Sequence, residues 1–213
     1  MELAYCQPAK TGNWLVYSGN QMLSPRTNWW NEVQYRNYNA IGDLQQLLLR
    51  TGFGYNLSEN NNNILVGYAY VYSENYILDS DRKTSSEEHR IYQQFLTRQN
   101  FKRLSLSHRY RIEERFMNND TEVRFRYAIS LSIPITKASL SKGALYGIFT
   151  DEIFIHANGP AFDRNRLYTG IGYVFHKNFR AEAGFMIQTL EPSERKQFQI
   201  SLINTLPLFN NTD

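Results

Sequence analysis

Arg103-Leu104-Ser105-Leu106-Ser107-His108-Arg109-Tyr110-Arg111-Ile112-Glu113-Glu114-Arg115-Phe116 reads with a period of two. So does the run beyond the polar turn Asn118-Asn119-Asp120, where Val123, Phe125, Tyr127, Ile129, Leu131, Ile133 and Ile135 alternate with Glu122, Arg124, Arg126, Ala128, Ser130 and Ser132. Side chains on a strand point to opposite faces in turn, so each strand has one apolar face and one Arg/Glu/Ser face. Both runs exceed the usual ~5–6 residues of a soluble strand and reach the ~9–11 that a tilted strand needs to cross a bilayer. The pair predicts a long antiparallel hairpin that separates an oily surface from a charged one.

The same pattern extends along the chain. Strands are expected over Trp14–Leu23, Asn28–Asn39, Leu44–Asn56, Ile64–Ser73 and Glu88–Gln99 before the central pair, and over Ala144–Ala157, Arg164–Phe175, Phe179–Thr189 and Gln197–Leu206 after it. In Ala144–Ala157 the phase breaks near Asp151-Glu152, which reads as a bulge. Residues 74–87 lack any period and read as the longest surface loop, the best candidate for an outward-facing recognition element. About eleven strands result, joined as a meander of hairpins. Bacterial single-chain barrels carry even counts, so ten and twelve stay open.

Two barrels share this pattern. A soluble barrel buries its apolar face, whereas a membrane barrel turns it to lipid and keeps a polar lumen. The basic residues discriminate. All seven lysines sit in the leader, in turns or at strand ends, while the strands carry Arg36, Arg50, Arg90, Arg98, Arg109, Arg111, Arg124, Arg126, Arg166 and Arg180. A solvated face mixes lysine in freely, but arginine's planar fork suits enclosed carboxylate pairs. Partners stand ready in Glu32, Glu88, Glu113, Glu122, Glu152 and Glu182, and Tyr and Trp near strand ends suit an interfacial girdle. We expect an all-β, antiparallel, up-and-down transmembrane barrel of 10–12 strands spanning residues 13–213. Its lumen charge network is expected from Glu32, Arg36, Glu88, Arg90, Arg109, Arg111, Glu113, Arg124, Arg126, Glu152, Arg164, Arg166 and Glu182.

Composition agrees. The 15 Tyr and 13 Phe supply oily surface although mean hydropathy is negative, as alternation requires. A net charge of +3 is too small to argue for a nucleic-acid partner. One cysteine, Cys6, leaves no internal disulfide framework. Residues 1–12 read as a leader. Met1-Glu2-Leu3-Ala4-Tyr5-Cys6-Gln7 lacks the basic and apolar regions of a signal peptide, and Tyr5 is too bulky for a lipoprotein cleavage site before Cys6.

Five segments also resemble the DUF2490 family: Asn31-Glu32-Val33-Gln34-Tyr35-Arg36, Glu88-His89-Arg90-Ile91-Tyr92, His108-Arg109-Tyr110-Arg111-Ile112-Glu113-Glu114, Asp151-Glu152-Ile153 and Phe162-Asp163-Arg164-Asn165-Arg166. The resemblance implies an outer-membrane barrel of the kind common in Bacteroidetes-type bacteria. It implies no mechanism.

For function, the Arg/Glu ladder reads first as a lumen filled by salt bridges and second as a narrow pore whose arginines attract anions. A lipid-modifying hydrolase is a third reading, in which His108 on the apolar face needs a partner from another strand, because Ser105 and Ser107 fall opposite. A soluble ligand-binding barrel is the fourth. No metal or cofactor is expected: no HExxH, CxxC, P-loop or GxSxG occurs. Gly52, Gly54, Gly170 and Gly172 lie inside strands and are expected to relieve crowding beside bulky neighbours. The partners expected are a lipid bilayer and a small solute, with no nucleic acid.

Overall fold

A computed structural model describes residues 11–58, 61–78, 80–118 and 120–209. The leader with Cys6, up to residue 10, lies outside them. Eleven strands follow one another: β1 (Gly12–Met22), β2 (Thr27–Asn37), β3 (Leu44–Asn56), β4 (Asn62–Tyr76), β5 (Lys83–Phe101), β6 (Leu104–Met117), β7 (Asp120–Pro134), β8 (Leu145–His156), β9 (Phe162–His176), β10 (Phe179–Leu190) and β11 (Ser193–Asn204). Each pairs with its sequence neighbours, and β1 meets β11, so the sheet closes into a barrel. Sequential pairs are antiparallel, but an odd count leaves β1 and β11 running the same way. The seam is accordingly parallel, from Gly12 opposite Gln197 to Gly19 opposite Asn204.

The barrel has two ends. One carries the connections 23–26, 57–61, 102–103, 135–144 and 177–178. The other, here called the vestibule end, carries 38–43, 77–82, 118–119, 157–161 and 191–192. The expected surface loop at 74–87 is mostly strand. Tyr72 to Tyr76 pair in register with Glu87 to Lys83, and only residues 77–82 connect. Backbone bonds hold this part of the hairpin, and its polar side chains carry no apolar period for the eye to find. The longest connection is 135–144 instead.

No bulge forms at Asp151-Glu152. The register of β7 with β8 is continuous, Glu152 turns inward, and Asp151 turns outward to accept a hydrogen bond from Asn165 (2.7 Å). The irregularity falls between Phe154 and Ile155, on the β9 side.

Inside, large rings lie flat over glycines. Tyr92, fully buried, crosses β4 above Gly67, and its hydroxyl donates to the carbonyl of Thr51 on β3 (3.2 Å). Tyr146, also fully buried, crosses above Gly172 and donates to Glu182 on β10 (2.7 Å). A Cβ on Gly67 would stand 2.4 Å from the Tyr92 ring, and one on Gly172 only 2.1 Å from the Tyr146 ring. These glycines make room for bridging tyrosines, as their strand positions suggest. Gly172→Ala is expected to lower stability by about 1–3 kcal/mol, the usual penalty for overpacking. Urea unfolding in detergent measures it, and an unchanged midpoint would show that Tyr146 yields freely.

Candidate functional site

The lumen is built by one face of every strand. Glu32 opposes Arg50, Ala69 opposes Arg90, Arg111 opposes Arg126, and Glu152 opposes Arg166 across successive ladders. The expected inward face is thus the observed one. Arg36, Arg50, Arg90, Arg111, Arg124 and Arg126 are all buried, with Glu32, Glu113, Glu152 and Glu182.

Glu113 is the hub. It is fully buried and accepts from Arg111 (3.4 Å), Arg124 (2.6 Å) and Arg126, with Arg90 3.8 Å away. Arg111 and Arg126 stand directly opposite each other, an arrangement that repels unless an anion lies between. Glu113 supplies it. Glu152 accepts from Arg126 and from Arg109 (both 2.7 Å), the latter reaching from β6 over β7 to β8. Nearer the vestibule end, Glu88 holds Arg90 (2.7 Å) and Arg115, and Asp163 holds Arg124 and Arg164 (both 2.9 Å). Glu32 pairs with Arg50 (2.9 Å). Glu182 stands apart on the far side, bound to the Tyr146 hydroxyl.

Of the expected network residues, Arg36 and Arg166 break the pattern. Neither has a carboxylate within ion-pair distance among the described residues. Arg36 donates to the amide oxygens of Gln34 (3.0 Å from Nε) and Gln46. Arg166 donates to the amide oxygen of Gln188 (2.8 Å). Both guanidiniums stand over the Trp14 ring, at 3.7 and 5.0 Å from its centroid. Trp14 and Trp30 therefore face the lumen rather than a girdle; of the three tryptophans only Trp29 sits on the outward phase.

The ledger of charge is uneven. Apart from the separate pair of Arg180 with Glu182 (3.8 Å), Arg36, Arg50, Arg90, Arg109, Arg111, Arg115, Arg124, Arg126, Arg164 and Arg166 make ten cations around the hub and the vestibule end, set against the six carboxylates of Glu32, Glu88, Glu113, Glu122, Glu152 and Asp163. The expected network left out Arg50, Arg115 and Glu122, which lie on the polar phase of their strands, and Asp163. Asp163 falls on the outward phase by strict alternation, and the register shift beside it lets its carboxylate reach the lumen. Four guanidiniums, of Arg124, Arg126, Arg164 and Arg166, lie within 4.4–5.9 Å of the Phe154 ring centre, so one aromatic face shares their charge.

These walls enclose a vestibule of about 560 Å³. It opens between Asn75, Ser86 and Met117 at the vestibule end, and its deep wall is Arg50, Arg126 and Phe154. Beyond lies the layer of Tyr92, Arg111 and Glu113, with the Arg50 and Arg111 guanidiniums 5.6 and 4.6 Å from the Tyr92 ring centre. On the outer face, His108 meets the Tyr127 hydroxyl (2.9 Å) and stands opposite Thr97 and Ile129 in the ladders. Among the described residues no cluster of metal-ligating side chains forms.

The sequence matches the family described as "Protein of unknown function (DUF2490)" over residues 11–199. Nothing matches it among curated proteins or among solved structures.

Proposed function

We propose, of a chain that belongs to the DUF2490 family, that it is a bacterial outer-membrane β-barrel whose lumen is occluded by its own salt bridges. One observation carries this reading. Every one of the eleven strands presents large apolar side chains outward, among them Leu15, Val33, Phe53, Val66, Ile91, Ile112, Phe125, Phe149, Ile171, Phe185 and Leu202, exposed by 40–66%. Soluble proteins expose apolar patches of only a few hundred Å². A continuous apolar band around a closed barrel is what lipid requires. Among the described residues no helix is long and apolar enough to cross a membrane; in this reading the crossing elements are the strands.

Rings mark both rims of this band. Tyr38 packs on Tyr76 at the vestibule end (5.1 Å between centroids), and Phe175 packs on Tyr173 and Phe179 at the other (4.8 and 5.8 Å). Aromatic girdles of this kind sit at lipid headgroup level. Lys83, Lys102, Lys137, Lys142 and Lys177 occupy turns or strand ends, outside the band.

The lumen supports a structural role. The hub of Glu113 with Arg111, Arg124 and Arg126 has side chains exposed by 6% or less, and arginines so held close the lumen beneath the vestibule. We assign the barrel no catalytic role: His108 lies on the lipid-facing side with Tyr127 as its partner.

The test is expression with an export signal, followed by membrane fractionation and electrophoresis of boiled and unboiled samples. The expected result is an outer-membrane band that shifts on boiling, with no steady conductance steps in a planar bilayer. A soluble, non-shifting protein would overturn the membrane reading. Steady ohmic steps would overturn the occluded lumen.

A further inference from the structure

Burying a cation without an anion is expensive, and proteins rarely leave the imbalance uncorrected. The vestibule concentrates such an imbalance. Arg36 and Arg166 line it and are satisfied only by neutral amides. Arg50 and Arg124, both at least 94% buried in its wall, each keep an Nε without a hydrogen-bond partner. Glu87 lies at the mouth, yet its carboxylate turns to Tyr70 on the outer face. Eight arginines thus line, with Glu87 and Glu88 as the only carboxylates among the described lining residues, a space whose size suits a small metabolite rather than a lone ion.

We propose that the vestibule is a binding site for a multiply charged oxyanion, a phosphate ester or a polycarboxylate, gripped between Arg36 and Arg166. Guanidinium forks bind both kinds of oxygen pair bidentately. Gln34, Gln46 and Gln188 hold the two forks in place without neutralising them, which leaves the charge for the ligand. Trp14 backs both cations with a π face. The site goes beyond the occluded-barrel reading, because it needs only the lumen and not the lipid outside.

Two substitutions test it while sparing the fold. Gln46→Glu places a carboxylate where an amide oxygen already accepts from Arg36, and the hydroxyl of Ser73, now accepting from Gln46 (2.8 Å), is free to turn and donate. Gln188→Glu does the same for Arg166. The probes are pyrophosphate and citrate, titrated calorimetrically into the full chain in detergent at low salt. At least one is expected to bind with a Kd below about 1 mM, and the double variant Q46E/Q188E is expected to bind at least about tenfold more weakly. That variant should keep its boiling-sensitive band and melt at a higher temperature, since the missing anions are now built in. Arg98→Gln, outside the vestibule, should bind as the parent does. Stronger binding of pyrophosphate identifies the phosphate class, and stronger binding of citrate the polycarboxylate class. The proposal fails if neither probe binds the parent, if Q46E/Q188E binds as tightly as the parent, or if Arg98→Gln weakens binding equally.

Discussion

Replacing Glu113 with alanine is expected to destabilise the barrel by about 3–5 kcal/mol, the cost of stripping a buried ion pair of one partner. The effect should lie at the upper end because one carboxylate serves three guanidiniums at hydrogen-bond distance. Its loss leaves Arg111 and Arg126 face to face with nothing between them. Glu113→Gln keeps the shape and two acceptor lone pairs but removes the charge, and should fall between parent and alanine variant. Urea unfolding in detergent, read by the boiling-sensitive band, measures all three. An alanine variant as stable as the parent would mean that Glu152 and Glu88 take over its cations.

Placing arginine at Phe185 is expected to be nearly as damaging, for the opposite reason. Phe185 lies midway along β10, 61% exposed, edge-on to Phe198 at 5.3 Å. At the middle of a bilayer an outward arginine costs about 2–4 kcal/mol, whereas near an interface it costs little. Phe185→Arg should therefore lower folding yield into bilayers sharply. The same change at Phe101, on the rim beside the 102–103 turn, should be tolerated. Folding into lipid vesicles, scored by protease resistance, distinguishes the two. In a water-soluble barrel both changes would be harmless, so equal tolerance would sink the assignment of the outer face to lipid.

Much of this was legible in the chain. The bounds of β3 read from alternation coincide with the observed Leu44–Asn56, and the faces of β6 and β7 emerge as their period of two requires. Arginine without lysine along the strands marked the enclosed side, and the buried arginines lie there. What alternation lacks is distance across the lumen. On one strand, Glu32 and Arg36 share the inward face. The register of β2 with β3 puts Arg50 directly opposite Glu32 and leaves Arg36 to glutamines. Nor does a polar, aperiodic run reveal that residues 83–87 continue a strand, because backbone hydrogen bonds leave no trace in side-chain pattern.

The sequence by itself determined which face of each strand is oily and which is charged, because the pleat makes side-chain direction a strict function of position. It also determined a meander, because short polar turns join neighbouring runs. Only the tertiary structure decided the parity of the wall, the parallel seam of β1 with β11, and the pairing of arginines with carboxylates. These depend on register and closure, which bring residues from β6 and β8, or β2 and β3, to the same height in the lumen. The surplus of charge around the vestibule is a property of that closed arrangement and of no single strand.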